Sequence, residues 1–135
     1  MDRALRSFVR RRALELCEYC RLPQASSQPV SFHVEHVIAR QHGGPSNADN
    51  LALSCSYCNF HKGPNIASID PESGLLVPLF HPRRDNWAEH FAWQGTILIG
   101  KTSTARATLR LLAMNDWQRV ELRDNLLSLG EPFAG

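Results

Sequence analysis

The four cysteines of this chain form two Cys-x-x-Cys pairs, Cys17 with Cys20 and Cys55 with Cys58. Structural zinc takes four tetrahedral ligands, and thiolates about 2.3 Å from the ion suit a closed site of this kind. Each pair offers two sulfurs on one side of a tight turn, so the spacing predicts one four-cysteine zinc site that joins two distant parts of the chain. The alternatives are a redox dithiol or buried free thiols. A redox dithiol needs only one pair, whereas here all four cysteines fall into matched pairs.

Length and composition favour one small domain. The 135 residues, 43% of them hydrophobic, can bury a thin core, and bound metal would add directly to the folding energy. No apolar run approaches the length that crosses a membrane, and no apolar segment follows the charged N-terminus as in a secretory signal. We therefore expect no membrane association and a cytoplasmic location, where paired cysteines bind metal rather than form disulfides.

Hydrophobic periodicity and turn residues predict the order of elements in the first half. The predicted elements are a helix over 3–16, a strand over 32–38, a turn-rich loop over 41–50, a second strand over 51–54 and a short helix over 55–62. Gly63 and Pro64 stop that last helix. The central order is therefore strand, loop, strand, helix.

The second half is organised differently and contains no catalytic group of residues. The pattern predicts a strand over 75–80, a hairpin over 87–100, and helices near 103–114 and 116–129, the last one capped by Asp116 and ended by Gly130. Trp87, Phe91 and Trp93 are expected in the core. The predicted fold is α+β, with a core over 1–64 and an extension over 65–135 that packs on it as one domain.

Between and just after the cysteine pairs lie residues suited to phosphodiester hydrolysis. That reaction needs a base to activate water, charge to neutralise the phosphate, and stabilisation of the leaving oxygen. His36 is a candidate base because imidazole titrates near neutral pH. Glu35 and Asn59 are candidate oxygen donors to one Mg²⁺-like ion, which would keep positions open for water and phosphate. Neighbouring strand residues point to opposite faces, so Glu35 and His36 serve one phosphate only if the strand twists or ends there.

These residues belong to a set of separated motifs that resembles the HNH endonuclease family. The motifs are, in order, Cys-Glu-Tyr-Cys, His-Val-Glu-His-Val-Ile-Ala-Arg, Gly-Gly, and Asn-Leu-Ala-Leu-Ser-Cys-Ser-Tyr-Cys-Asn-Phe-His-Lys-Gly, and they cover residues 17–63. That family folds as a ββα-metal (His-Me) finger, and the cysteine pairs are similar to its zinc-knuckle subgroup. The resemblance implies DNA as the partner, structural zinc, and Mg²⁺ or another divalent cation for catalysis.

The resemblance also implies individual roles. His36 corresponds to the general base and Glu35 to the acidic metal ligand. Asn50 corresponds to the middle asparagine, which fixes the loop and orients the base, and Asn59 to the second metal ligand. The family usually has aspartate at the position of Glu35. The extra methylene of glutamate is expected to move the ion slightly.

Other polar residues allow more than one interpretation. His61 follows Asn59 and is a candidate contact to the ion or to the scissile phosphate. His33 is either a further ligand or phosphate contact, or a partly exposed histidine, and His42 is expected to be solvated. Lys62 either contacts phosphate or simply ends the helix. Two local clusters of arginines either contact phosphates or solvate the surface, and their members are Arg3, Arg6, Arg10, Arg11, Arg12, Arg83 and Arg84.

The sequence thus predicts a metal-dependent DNA endonuclease with a single catalytic ion. One ββα site cuts one strand, so a double-strand break would need a homodimer or two events. The alternatives are a non-catalytic zinc-containing module that binds nucleic acid and a structural zinc protein that binds another protein. Both share the cysteines, but neither has a use for His36, Glu35 and Asn59 together.

Overall fold

The computed structural model describes residues 1–27 and 30–130. Its helices are α1 (Arg3–Arg12), α2 (Ser56–Lys62), α3 (Trp87–His90), α4 (Ser103–Leu111) and α5 (Trp117–Ser128). Its strands are β1 (His33–His36), β2 (Leu51–Ser54), β3 (Ala67–Ile69), β4 (Leu76–Pro78), β5 (Phe91–Gln94) and β6 (Ile97–Gly100). The strands pair in sequence order as three antiparallel hairpins. The predicted α+β class is confirmed; residues 131–135 of the predicted extension lie outside the described residues.

The ββα unit predicted at the centre of the chain is present. Strands β1 and β2 pair in a register that places Glu35 opposite Ala52 and His36 opposite Leu51. Strand β2 is buried along its whole length, which its apolar sequence Leu-Ala-Leu-Ser allows. Helix α1 packs against both strands and α2 packs against β1. The loop between the strands contains two short 3-10 turns, Arg40–His42 and Ala48–Asn50.

Helix α1 is shorter than the predicted 3–16. Asp2 caps its start by accepting a 2.7 Å hydrogen bond from the backbone N–H of Leu5. The helix ends at Arg12 because Leu14 and Glu15 both take φ of 56°, in the left-handed region. This turn directs the chain into the first cysteine pair.

The second half differs from the prediction in several places. Residues Trp87–His90 form a single helical turn rather than the start of a strand, because Asn86 caps it with a 3.1 Å bond from the N–H of Ala88. Strand β3 was not predicted, because three residues are too short for a recognisable alternation. It pairs with β4 across a turn that Asp70 shapes by accepting backbone N–H bonds from Glu72 and Ser73. Asp116 precedes α5 as expected but makes no side-chain cap.

The two halves of the chain share one hydrophobic cluster. Val9 and Leu51 from the first half and Phe80 and Leu112 from the second half all belong to it. Trp87 and Phe91 are buried in this cluster as predicted, and Trp93 packs against it. None of the helices among the described residues is long and apolar enough to span a membrane.

Candidate functional site

The four cysteines form one buried cluster. Their sulfurs lie within 4.8 Å of one another, with 3.7 Å between Sγ of Cys20 and Sγ of Cys55, and all four are free of disulfides. Cys55 also caps α2, because its sulfur accepts a 3.4 Å bond from the N–H of Cys58. Within residues 1–27 and 30–130 this is the one group of three or more histidine, cysteine or acidic side chains placed to hold a metal ion. The cluster is consistent with a structural metal site.

A buried arginine supports metal-bound thiolates rather than four neutral thiols. Nη2 of Arg119 lies 3.1 Å from Sγ of Cys58 and 3.8 Å from Sγ of Cys55, and the residue is only 4% exposed. No carboxylate among the described residues forms an ion pair with it. A guanidinium stays charged in proteins, and a buried charge is costly without a counter-charge. Carbonyl oxygens alone accommodate the equally buried Arg123, but Arg119 directs a donor at the sulfurs, and thiolates there would supply its counter-charge.

The pKa directions around the cluster follow from the same charges. Burial raises the pKa of Cys17 and of Cys58, because the charged thiolate loses solvation. Hydrogen bonds from the other cysteines lower the pKa of Cys20 despite its burial. Burial also acts to lower the pKa of Arg119, but attraction to the thiolates outweighs it and the net pKa is raised. A bound cation would favour the thiolate form at all four sulfurs.

Asn50 clamps the loop that follows β1. Its Oδ1 accepts from the N–H of Ile38 at 2.9 Å, and its Nδ2 donates to the carbonyl oxygens of Ile38 and Pro45 at 2.9 and 3.0 Å. Gly44 packs into the same clamp. A Cβ on Gly44 would lie 1.7 Å from the carbonyl oxygen of Ile38, so only glycine fits there. The Gly-Gly motif and the middle asparagine are therefore one local structure.

His36 lies at the mouth of this loop. Its Nε2 is 2.7 Å from Oγ of Ser46, a residue that the sequence interpretation did not single out. Burial, and then the charge of Arg40, lower the pKa of His36 below 6.5, which favours the neutral imidazole at pH 7. When Nε2–H donates to Ser46, the lone pair lies on Nδ1, which can then accept a proton.

Glu35 faces the other side of β1, as the alternation of strand side chains requires. Its Oε1 is buried and has no hydrogen-bond partner. Oη of Tyr19 is also buried without a hydrogen-bond partner. The two side chains are nevertheless close enough for Tyr19 to lower the pKa of Glu35. Burial dominates and raises the pKa of Glu35 to about 7, with Lys62 opposing it. An unpaired buried carboxylate oxygen requires an explanation, and a bound cation is one.

Helix α2 brings its polar residues toward the same strand. Lys62 is buried and its Nζ donates to the carbonyl oxygen of Val37 at 2.8 Å, so it ties α2 to the end of β1 and is not available to phosphate. Asn59 lies three residues earlier, on the helix face shared with Lys62. The charge of Lys62 acts on the carboxyl of Glu35, so this face of α2 lies on the Glu35 side of β1. His61 is partly buried, with its ring 5.4 Å from that of Phe60, and His33 and His42 are exposed.

Several arginines expected on the surface have structural partners instead. Arg10 donates to the carbonyl oxygen of Phe32 at 2.8 Å, just before β1. Arg12 donates to those of Ala48 and Leu51 at 3.0 and 2.8 Å, on either side of Asn50. Arg83 pairs with Glu18, so the proposed contact of Arg83 with phosphate is replaced by an internal ion pair. No sequence spacing indicates these long-range partners.

Residues 17–65, a little over a third of the chain, match the family model described as HNH endonuclease. The matched segment contains both cysteine pairs, β1, β2 and α2. This segment belongs to the HNH endonuclease family, and the resemblance seen in the sequence is confirmed. Searches of curated proteins and of solved structures found no match to the chain.

Proposed function

We propose that this protein is a metal-dependent DNA endonuclease in which His36 acts as the general base. The family of residues 17–65 supports a nuclease-type function. The observation that carries the mechanism is the pairing of His36 Nε2 with Ser46 Oγ at 2.7 Å. In the tautomer whose Nε2–H donates to Ser46, this contact fixes the ring and leaves Nδ1 as the proton acceptor, in a loop that Asn50 holds in place.

Glu35 and Asn59 are the proposed ligands of the catalytic ion, with His61 beside them. The fit rests on the unpaired buried oxygen of Glu35 and on the shared face of α2 that carries Asn59. Mg²⁺ or another hard divalent cation bound there would supply positive charge to the phosphate and to the leaving 3′ oxygen. Two protein ligands would leave the remaining positions to water and phosphate oxygens. We assign the cysteine cluster to Zn²⁺, which suits four thiolates in a closed site.

The chemical step then follows from the geometry of His36. Nδ1 of the neutral imidazole accepts a proton from water, whose oxygen attacks phosphorus while the bond to the 3′ oxygen breaks. A lowered pKa keeps His36 unprotonated and ready at neutral pH. Asn50 contributes by holding the loop rather than by touching the phosphate, because all its described side-chain bonds go to backbone groups.

A module that only binds nucleic acid explains the structure less well. Such a module would share the cysteine cluster but would gain nothing from a buried carboxylate oxygen without a partner. One site acts on one strand, so a single chain is expected to nick DNA, and a homodimer or a second event would complete a double-strand break. A cytoplasmic location stays a prediction.

Plasmid nicking by His36→Ala tests the proposal. We expect a loss of about 10²–10⁴-fold in rate, with zinc content and DNA binding unchanged, because the base acts on water. Excess Mn²⁺ or Mg²⁺ should not restore this variant. It should partly restore Asn59→Ala, which lacks one ligand of the ion.

The control is His42→Ala, which removes an exposed histidine from the same loop and should nick at the native rate. EDTA should stop cleavage by the native protein. Nicking by His36→Ala at the native rate would show that the base, or the assignment as an endonuclease, is wrong.

A further inference from the structure

Arg119 lies outside the HNH segment yet reaches its cysteines. It is on α5, while the matched segment ends at residue 65. Its Nη2 donates to Cys58 Sγ at 3.1 Å, and its Nη1 donates to the carbonyl oxygen of Leu112 at 2.6 Å. Its Cζ lies 5.2 Å from the ring centroid of Tyr57 on α2. Helix α2 and the end of α4 therefore fix the orientation of this guanidinium.

The charge of the metal site explains why an arginine is buried there. Four thiolates around one divalent ion leave a net charge of about −2, and the cluster is buried, so water does little to screen it. A hydrogen bond to a charged group is shorter and stronger than a neutral one. Arg119 thus provides both a positive charge and a directed donor at the sulfur of Cys58.

Arg123 is a second buried arginine on α5, and it makes no contact with a cysteine sulfur. It lies one turn later on α5 and is 3% exposed. It donates to the carbonyl oxygens of Thr96 and Met114 at 2.7 and 2.9 Å and to Oδ1 of Asn115 at 3.0 Å. Arg119 and Arg123 lie on the same helix and are buried to a similar degree. Of these two, only Arg119 contacts a cysteine sulfur.

We propose that Arg119 is a positioning residue of the cysteine site that strengthens metal binding through its bond to the thiolate of Cys58. The proposal depends on a metal ion at the four cysteines, as assigned above, but not on nuclease activity. Residues that hydrogen-bond to a metal ligand without touching the metal typically account for about 10–100-fold in metal affinity. They do so because they stabilise the ligand in its charged, correctly oriented form. The C-terminal helices thereby contribute directly to a site whose ligands all lie in the HNH segment.

Metal affinity of full-length variants tests this role. Chelator competition gives the Zn²⁺ affinity of Arg119→Met and of Arg123→Met. After zinc is replaced by Co²⁺, the energy of the thiolate-to-cobalt charge-transfer band is compared in the same two variants. We expect about 10–100-fold weaker binding for Arg119→Met. Its band should move to lower energy, because an unbonded thiolate gives up electron density more easily. Arg123→Met removes a nearby charge but no bond to sulfur, so it should lose less affinity than Arg119→Met and keep the native band, even though it is less stable.

The outcomes separate this role from a merely structural one. Native affinity and band position in Arg119→Met would overturn the proposal, and so would an equal loss of affinity in Arg123→Met. If Arg119→Met does not fold, Arg119→Lys and Arg123→Lys decide by the same two measurements.

The nuclease assignment is tested separately. His36→Ala should show native metal affinity and lack nicking. If the native chain binds no metal at its cysteines, the zinc assignment and this proposal both fail, while plasmid nicking still reports on the nuclease.

Discussion

Replacing Glu35 with glutamine should stabilise the protein when the catalytic ion is absent. The carboxyl has a buried oxygen without a hydrogen-bond partner, and burial raises its pKa from 4.5 to about 7 despite the opposing charge of Lys62. A carboxyl whose pKa is higher in the folded state binds more protons there than in the unfolded state. The free energy of unfolding therefore falls as pH rises from 4.5 through about 7.

The size of the effect follows from that shift. The difference of about 2.5 pH units between 4.5 and about 7 corresponds to about 3 kcal/mol at 1.36 kcal/mol per unit. This free-energy difference is the largest that the shift allows. It applies at pH 8, where the carboxyl of Glu35 is ionised in both the folded and the unfolded protein. At pH 5 the difference between Glu35→Gln and the native protein should shrink to about 1 kcal/mol. Glutamine keeps the shape of the side chain and removes only the charge and its proton equilibrium.

Urea unfolding of the zinc-loaded protein between pH 5 and 8, with and without Mn²⁺, measures this effect. Without Mn²⁺ the variant should be the more stable protein at pH 8. Added Mn²⁺ should stabilise the native protein and leave Glu35→Gln nearly unchanged, because ligands stabilise only the state that binds them. Glu121→Gln removes an exposed carboxylate from α5 and should change stability by less than about 0.5 kcal/mol.

Two results would refute this reasoning. One is a Glu35→Gln variant that is no more stable than the native protein at pH 8 without Mn²⁺. The other is equal stabilisation of both proteins by Mn²⁺, which would place the ion elsewhere.

Two further substitutions test the loop and the basic residues. Asn50→Ala removes three side-chain hydrogen bonds and should lower the free energy of unfolding by about 3 kcal/mol, at about 1 kcal/mol each, and reduce nicking. Asn47→Ala, which removes only one exposed bond to Asp49, should cost less than about 1 kcal/mol in urea unfolding, and equal losses would contradict the clamp. Replacing the exposed Arg3 and Arg6 should flatten the salt dependence of DNA binding by roughly one unit for each phosphate that is no longer neutralised. Arg12→Met should instead lower stability with an unchanged slope, because its donors go to backbone carbonyls. An unchanged slope after replacing Arg3 and Arg6 would show that these arginines only solvate the surface.

Short-range sequence patterns were sufficient to predict the secondary structure of the HNH segment. The cysteine pairs, the alternation around Glu35 and the turn-rich loop each lie within a few residues of one another, so local geometry constrains them strongly. The order of strand, loop, strand and helix and the proximity of the four cysteines are both confirmed. The catalytic roles of His36, Glu35, Asn50 and Asn59 stay predictions.

The errors in the second half come from elements of three or four residues. Neither β3 nor α3 is long enough to show its own periodicity. Capping by Asn86 and the turn built on Asp70 decided both structures, and aromatic spacing around Trp87 suggested a strand instead.

The sequence alone determined that this chain has two cysteine pairs spaced to hold a metal and an HNH segment, because those motifs are defined by residue type and local spacing. Only the tertiary structure decided where the long charged side chains go. Arg12 and Lys62 were candidates for phosphate contact, yet backbone carbonyls far along the chain hold both of them. Arg119, which no motif singled out, is buried beside the cysteines. Burial of a charge depends on the counter-charges and carbonyl groups that folding brings to it, and sequence spacing carries no record of those distances.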